Sequence, residues 1–129
     1  MTSKITLTVA SILGAIFTLG FYLVPEFVTL QQFPNAKGQG LDDLITLRYA
    51  LASLVACIVV ITVQLRGVEG REQQKSIMLG YGIGFSIIFL TNLTLQLAGL
   101  ISAIPPIVAT CFISLLSFYT WWTINKGTE

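Results

Sequence analysis

Residues 77–98 read IMLGYGIGFSIIFLTNLTLQLA, a run with no charged side chain. Wound as an α-helix it is about 33 Å long at ~1.5 Å per residue. That exceeds the ~30 Å of a bilayer's hydrocarbon core. The run lacks the ten-residue alternation of a lipid-facing strand, so a helix is the form that satisfies its backbone in lipid. Working outward, three more uncharged runs share its character: 5–24, 49–65 and 104–124. Leu44, Ile45, Thr46 and Leu47 precede the second of these and extend it. The expected fold class is therefore an all-α integral membrane protein, a four-transmembrane-helix bundle. It forms a single membrane domain over residues 1–129. The spans are 5–24, 45–65, 77–98 and 104–124, with an outer loop at 25–44 and an inner loop at 66–76.

Composition agrees. Hydrophobic residues make up 54% of the chain and charged residues 10%, where a soluble domain carries about 25% charged. Seven Lys and Arg against six Asp and Glu leave a net charge of +1. That excludes the concentrated basic surface that nucleic acid requires. The chain has no His, the commonest metal ligand and the side chain that titrates near neutrality. Cys57 and Cys111 fall inside apolar runs and lie in no metal-binding or CxxC spacing. They read as small apolar packing residues, so no metal and no cofactor is expected.

The boundaries have local causes. Pro25 disfavours helix at the residue before it, and Glu26 is costly to submerge, so the first span ends there. Asp42 and Asp43 suit the N-terminus of the second span. Ser76 is the expected N-cap of the third, after a hydrated turn carrying Arg66, Glu69, Arg71, Glu72 and Lys75. Pro105 and Pro106 fit the first turn of the fourth, and Gly99 ends the third. The first span is too long for a signal core and has no small-x-small cleavage site after it, so it reads as a membrane helix. Lys4, Arg66, Arg71, Lys75 and Lys126 fall on one side of this topology, with only Lys37 and Arg48 on the other. That asymmetry places both termini in the cytoplasm, with Tyr119, Trp121 and Trp122 as an interfacial belt.

Polar groups collect at the outer end. Arg48 is the one charge within a hydrophobic stretch, ITLRYALASL. A bare guanidinium there costs ~2.5–3.5 kcal/mol on the lenient insertion scale, so it needs partners. The expected order is Glu26, then Asp43 or Asp42, then the amides of Asn92 and Gln96, which share a helix face. This is either a ligand-binding pocket of Arg48, Glu26, Asp43, Asn92 and Gln96, or a clasp that holds the outer loop to the bundle. Gly80 and Gly84 form one small-residue face, and Ser11, Gly14, Ala15 and Thr18 another, both suited to close helix packing. Tyr81, Phe85, Ile88, Asn92 and Gln96 form a stripe directed at the bundle core. The apolar residues of 27–33 lie on the membrane surface or cap the bundle.

The stretches DDLITLRYALASL and KSIMLGYGIGFSIIFLTNLTLQLAG resemble the small uncharacterised four-helix membrane proteins of bacteria. The likeness covers nearly the whole chain: an outer loop, an acidic residue and Arg opening span two, a basic turn, a glycine-bearing third span. It implies a bacterial inner membrane and supplies no activity. Small multidrug exporters are similar in size but need a glutamate in mid-span one, where this chain has none. With no catalytic constellation, an enzyme is not expected. The first expectation is a non-enzymatic accessory subunit or scaffold, with the bilayer and other membrane proteins or itself as partners. The alternatives are a binder of a lipid or apolar small molecule around Arg48, and a small transporter or channel.

Overall fold

A computed structural model describes residues 2–127. It contains five helices: α1 Ser3–Leu23, α2 Pro25–Gln32, α3 Gln39–Leu65, α4 Arg71–Leu97 and α5 Ile104–Lys126. Four of them, α1, α3, α4 and α5, are long and apolar enough to cross a membrane.

The ends are set by local chemistry. Thr2 caps α1, its side chain accepting from the Ile5 amide at 3.4 Å. Pro25 stands at the start of α2, and Val24 between α1 and α2 leaves helical geometry with φ −134° and ψ 55°. Gly38 precedes α3 with φ 61°, a conformation that glycine adopts without a Cβ penalty. At the end of α4, Gly99 has φ 73°, its amide bonds Gln96 O at 2.9 Å and the Leu100 amide bonds Leu95 O at 3.0 Å. This paired return to the last carbonyls is a Schellman motif.

Two boundaries differ from the sequence reading. α3 starts at Gln39 and α4 at Arg71, about six residues earlier than the expected spans, with Gly70 rather than Ser76 at the α4 N-cap. The physical reason is that a helix need not stop where the hydrocarbon does. Asp42 and Glu72 sit in the first turns of α3 and α4, where negative charge favours the helix dipole. Each of these helices has 27 residues, about 40 Å long, so each can reach beyond a ~30 Å hydrocarbon core.

The helices pack in the spatial order α3–α1–α5–α4. The α1–α3 and α4–α5 pairs touch along their length, α1 touches α5 more narrowly, and α3 and α4 scarcely meet. Both chain ends lie at one end of the bundle. There Thr6 of α1 and Thr120 of α5 share a hydrogen bond of 2.6 Å, and Arg71 bonds the C-terminal carbonyls of α5. We call this the terminal end, and the end carrying α2 the distal end.

The interior is inverted relative to a water-soluble bundle. Its fully buried side chains are dominated by Thr and Ser: Thr6, Thr29, Thr62, Ser117 and Thr120 all have 2% exposure or less. Large aliphatic residues such as Leu23, Leu54, Val60 and Leu115 point outward. Lipid offers no hydrophobic drive between helices, so small side chains and interhelical hydrogen bonds hold such a bundle together. Ser86 and Ser114 join α4 to α5 at 2.6 Å, and Ser114 also donates to Gly82 O at 3.0 Å. Gly82 is buried, and a Cβ there would lie 2.8 Å from the Phe118 ring. Gly14 likewise approaches Val59, where a Cβ would come to 2.6 Å. Gly80 and Gly84 are exposed with nothing near them. The α4 glycine that permits close approach within the bundle is therefore Gly82, because it alone of the three faces α5.

A candidate ligand cavity closed by Arg48

Because α3 and α4 scarcely meet, the bundle encloses a cleft between them. Its volume is about 440 Å³, and it is lined from α1 by Gly14 and Phe17, from α3 by Val55, and from α5 by Ala109. The volume falls within the ~300–1,000 Å³ typical of small-molecule sites. Leu54, Ile58 and Ile88 line it yet remain 61%, 43% and 39% exposed. The cleft therefore opens sideways, toward the surface that a membrane would cover. At its terminal end, Thr62 of α3 and Tyr81 of α4 join hydroxyl to hydroxyl and bridge the two helices.

Its distal end is closed by Arg48, which is only 5% exposed. The guanidinium is held by residues of α2 and α1. Its Nη2 donates to Gln32 Oε1 at 2.6 Å, its Nε donates to Thr29 Oγ1 at 3.5 Å, and it lies 4.9 Å from the centre of the Phe21 ring. Pro25 starts the short helix that makes this possible, and a spacing of three puts Thr29 and Gln32 on its same face. Thr29 also donates to Pro25 O at 2.6 Å. That leaves its lone pairs for the guanidinium.

These contacts suffice to hold a cation at this depth. A hydrogen bond to a charged group contributes ~1.5–3 kcal/mol and a desolvated cation–π contact ~2 kcal/mol. Together they offset the ~2.5–3.5 kcal/mol insertion cost. They leave the charge itself uncompensated, since all three partners are neutral. The only ion pair among the described residues is Lys75–Glu72, at 3.4 Å. Thr29 and Gln32 accept from Nε and Nη2, and no acceptor among the described residues meets Nη1.

The expected carboxylate partners of Arg48 are thus corrected. Glu26 is exposed on α2. Asp43 is exposed and accepts from Gln39 Nε2 at 2.8 Å, and Asp42 is exposed in the first turn of α3. Both Asp residues lie more than a helical turn before Arg48, toward water. Of the two amides, Asn92 lines the cavity and donates to Ile88 O at 2.9 Å. Gln96 instead accepts from the Ala103 amide at 2.9 Å and anchors the α4–α5 turn. The structure therefore brings Arg48 and Asn92 to one cavity, and it places Glu26, Asp43 and Gln96 elsewhere. Tyr81, Phe85, Ile88 and Asn92 lie along the α4 edge of the cleft.

Sequence reasoning missed Phe21, Thr29 and Gln32. The available signal was Pro25 followed by seven residues that can continue a helix, with polar Thr29 and Gln32 three apart among apolar neighbours. Treating 25–44 as loop hid it. Ser11 donates to Leu7 O at 2.7 Å within α1 and is buried there. No protein-family model, characterised protein or solved structure matches the chain.

Proposed function

We propose that this chain is an integral membrane protein that binds a lipid or another largely apolar small molecule in the cleft between α3 and α4, with Arg48 as the polar anchor. One observation carries this reading: an apolar cavity of about 440 Å³ ends on a buried guanidinium that has no carboxylate partner among the described residues. Membrane-depth charges are rare and costly, and they mark sites more often than scaffolding. The sideways opening between α3 and α4 supports entry from the bilayer. The five-to-two excess of Lys and Arg at the terminal end supports a cytoplasmic location for both chain ends. The distal site then faces the outer leaflet of what the family resemblance suggests is a bacterial inner membrane.

The test is mass spectrometry of the protein purified in mild detergent. The expected result is a defined apolar molecule retained at about one per chain and lost when Ala109→Trp fills the cleft. Retention unchanged in that variant overturns the reading.

A second reading, as accessory subunit or scaffold for other membrane proteins, is favoured by Gly80 and Gly84. They present a close-approach face that none of the described residues covers, and small residues four apart let two membrane helices meet. Crosslinking in native membranes, abolished by Gly80→Leu with Gly84→Leu, is the expected result. Crosslinks that survive both substitutions sink it.

A further inference from the structure

The cavity's shape and its one charge specify a narrower ligand class, on an argument that rests on the binding function just proposed. Three observations combine. First, the α3 wall of the cavity runs from Arg48 to Thr62, about 21 Å at ~1.5 Å per residue. A cavity of that length, about 440 Å³ in volume and walled by Val55 and Ile58, suits an extended apolar chain.

Second, the head end is built for an anion. Three of the five guanidinium N–H groups of Arg48, both on Nη1 and one on Nη2, have no acceptor among the described residues, and carboxylate and phosphate oxygens accept strongly from such charged donors. Gln32 adds to this donor set. Guanidinium has only donors, so Gln32 must present its Oε1 to Arg48, and its NH₂ is left without a protein acceptor. No carboxylate among the described residues competes for the site.

Third, the head end borders water. Gln32 also lines a second hollow of about 420 Å³ on the distal surface, walled by Phe33, Leu44 and Ile101. A charged head at Arg48 is therefore one side chain away from the aqueous face, while its tail lies along Val55 and Ile58.

We infer that the cleft holds an anionic amphiphile, with its acidic head on the Nη1 group of Arg48 and the NH₂ of Gln32, and its alkyl chain lying toward Thr62 and Tyr81. A carboxylate head is the smallest that fits this donor set.

The experiment is native mass spectrometry of the full chain in detergent at alkaline pH, with four probes: palmitate, hexadecanol, hexadecyltrimethylammonium and dipalmitoyl phosphatidate. The expected result is one palmitate per chain, with hexadecanol and the cationic probe bound at least about tenfold more weakly. Charge-assisted hydrogen bonds are roughly twice as strong as neutral ones, and tenfold in affinity is ~1.4 kcal/mol. Dipalmitoyl phosphatidate reports whether a two-chain lipid with an acidic head is also admitted. Arg48→Gln brings palmitate down to the level of hexadecanol, and Arg48→Lys keeps part of the difference. If Arg48→Gln does not fold, the four-probe comparison on the unaltered protein still decides. Hexadecanol binding as tightly as palmitate, in a manner abolished by Ala109→Trp, overturns the anionic class and leaves the cavity function standing. Hexadecyltrimethylammonium binding as tightly as palmitate likewise overturns the anionic class. Failure of every probe to bind overturns both this inference and the proposed function.

Discussion

Two arginines, one at each end of the bundle, are held in opposite ways. At the terminal end, Arg71 donates from Nε and Nη2 to Ile124 O, at 3.2 and 2.5 Å, and from Nη2 to Asn125 O at 3.4 Å. These are orphan carbonyls of the last turn of α5, where a cation also meets the negative end of the helix dipole. Arg71 thus caps a helix on which it does not reside, and it ties α4 to α5. At the distal end, Arg48 is far more deeply buried, yet it meets only a hydroxyl, an amide oxygen and an aromatic ring. One guanidinium is placed where backbone electrostatics already favour it. The other is placed where only a further anion would complete it. The difference teaches that burial of a charge does not by itself identify its role. What its remaining donors face does.

Three experiments press on this contrast, taken from the largest expected effect downward. Arg48→Met removes the distal cation while keeping much of its volume. Ligand retention should fall by at least about tenfold, while stability in detergent stays within ~1 kcal/mol, because deleting a buried charge also deletes its desolvation cost. Lipid analysis and thermal unfolding of the same preparation check both halves. A large loss of stability with ligand retained would make Arg48 a clasp for α2 and erase the contrast. Arg71→Met should do the reverse, lowering unfolding free energy by about 0.5–2 kcal/mol, as loss of a cation at a helix C-terminus does, with ligand content unchanged. The smallest effect belongs to the Thr6–Thr120 contact. A double-mutant cycle with Thr6→Val and Thr120→Val should return a coupling of ~0.6 kcal/mol, the average for hydrogen bonds between membrane helices. A coupling near zero would mean that shape alone joins α1 to α5.

The four helices long and apolar enough to cross a membrane were legible because each contains a long uncharged run, and length against bilayer thickness is a one-dimensional argument. Their overhang was harder to read. Polar first turns such as Gln39–Asp43 and Arg71–Lys75 are compatible with both loop and helix, and the choice is made by helix-dipole and capping energies of about 1 kcal/mol or less. The Arg48 site was half legible. Its depth and its need for partners follow from ITLRYALASL, and the position of Asn92 on the outward half of the third span sets it at the same depth. Glu26 and Asp43 were drawn in by charge alone, although both can remain in water at little cost. Gln32 and Thr29 reach Arg48 only because α2 folds back over the end of α3.

The chain's own order of residues determined that this protein is helical, apolar on its outside and marked by a single cation within a hydrophobic segment. Those properties depend on the composition of contiguous stretches and on the thickness of a bilayer. The short turn at Gly99 already pairs α4 with α5, but tertiary structure alone decided that α3 pairs with α1, leaving a cleft between two helices adjacent in sequence. It also decided which glycine lies at a helix contact, Gly82 rather than Gly80 or Gly84. The physical reason is that near-equivalent faces of apolar helices differ by small packing terms spread over many side chains. Only when all the helices are assembled does one face meet a neighbour while another is left open.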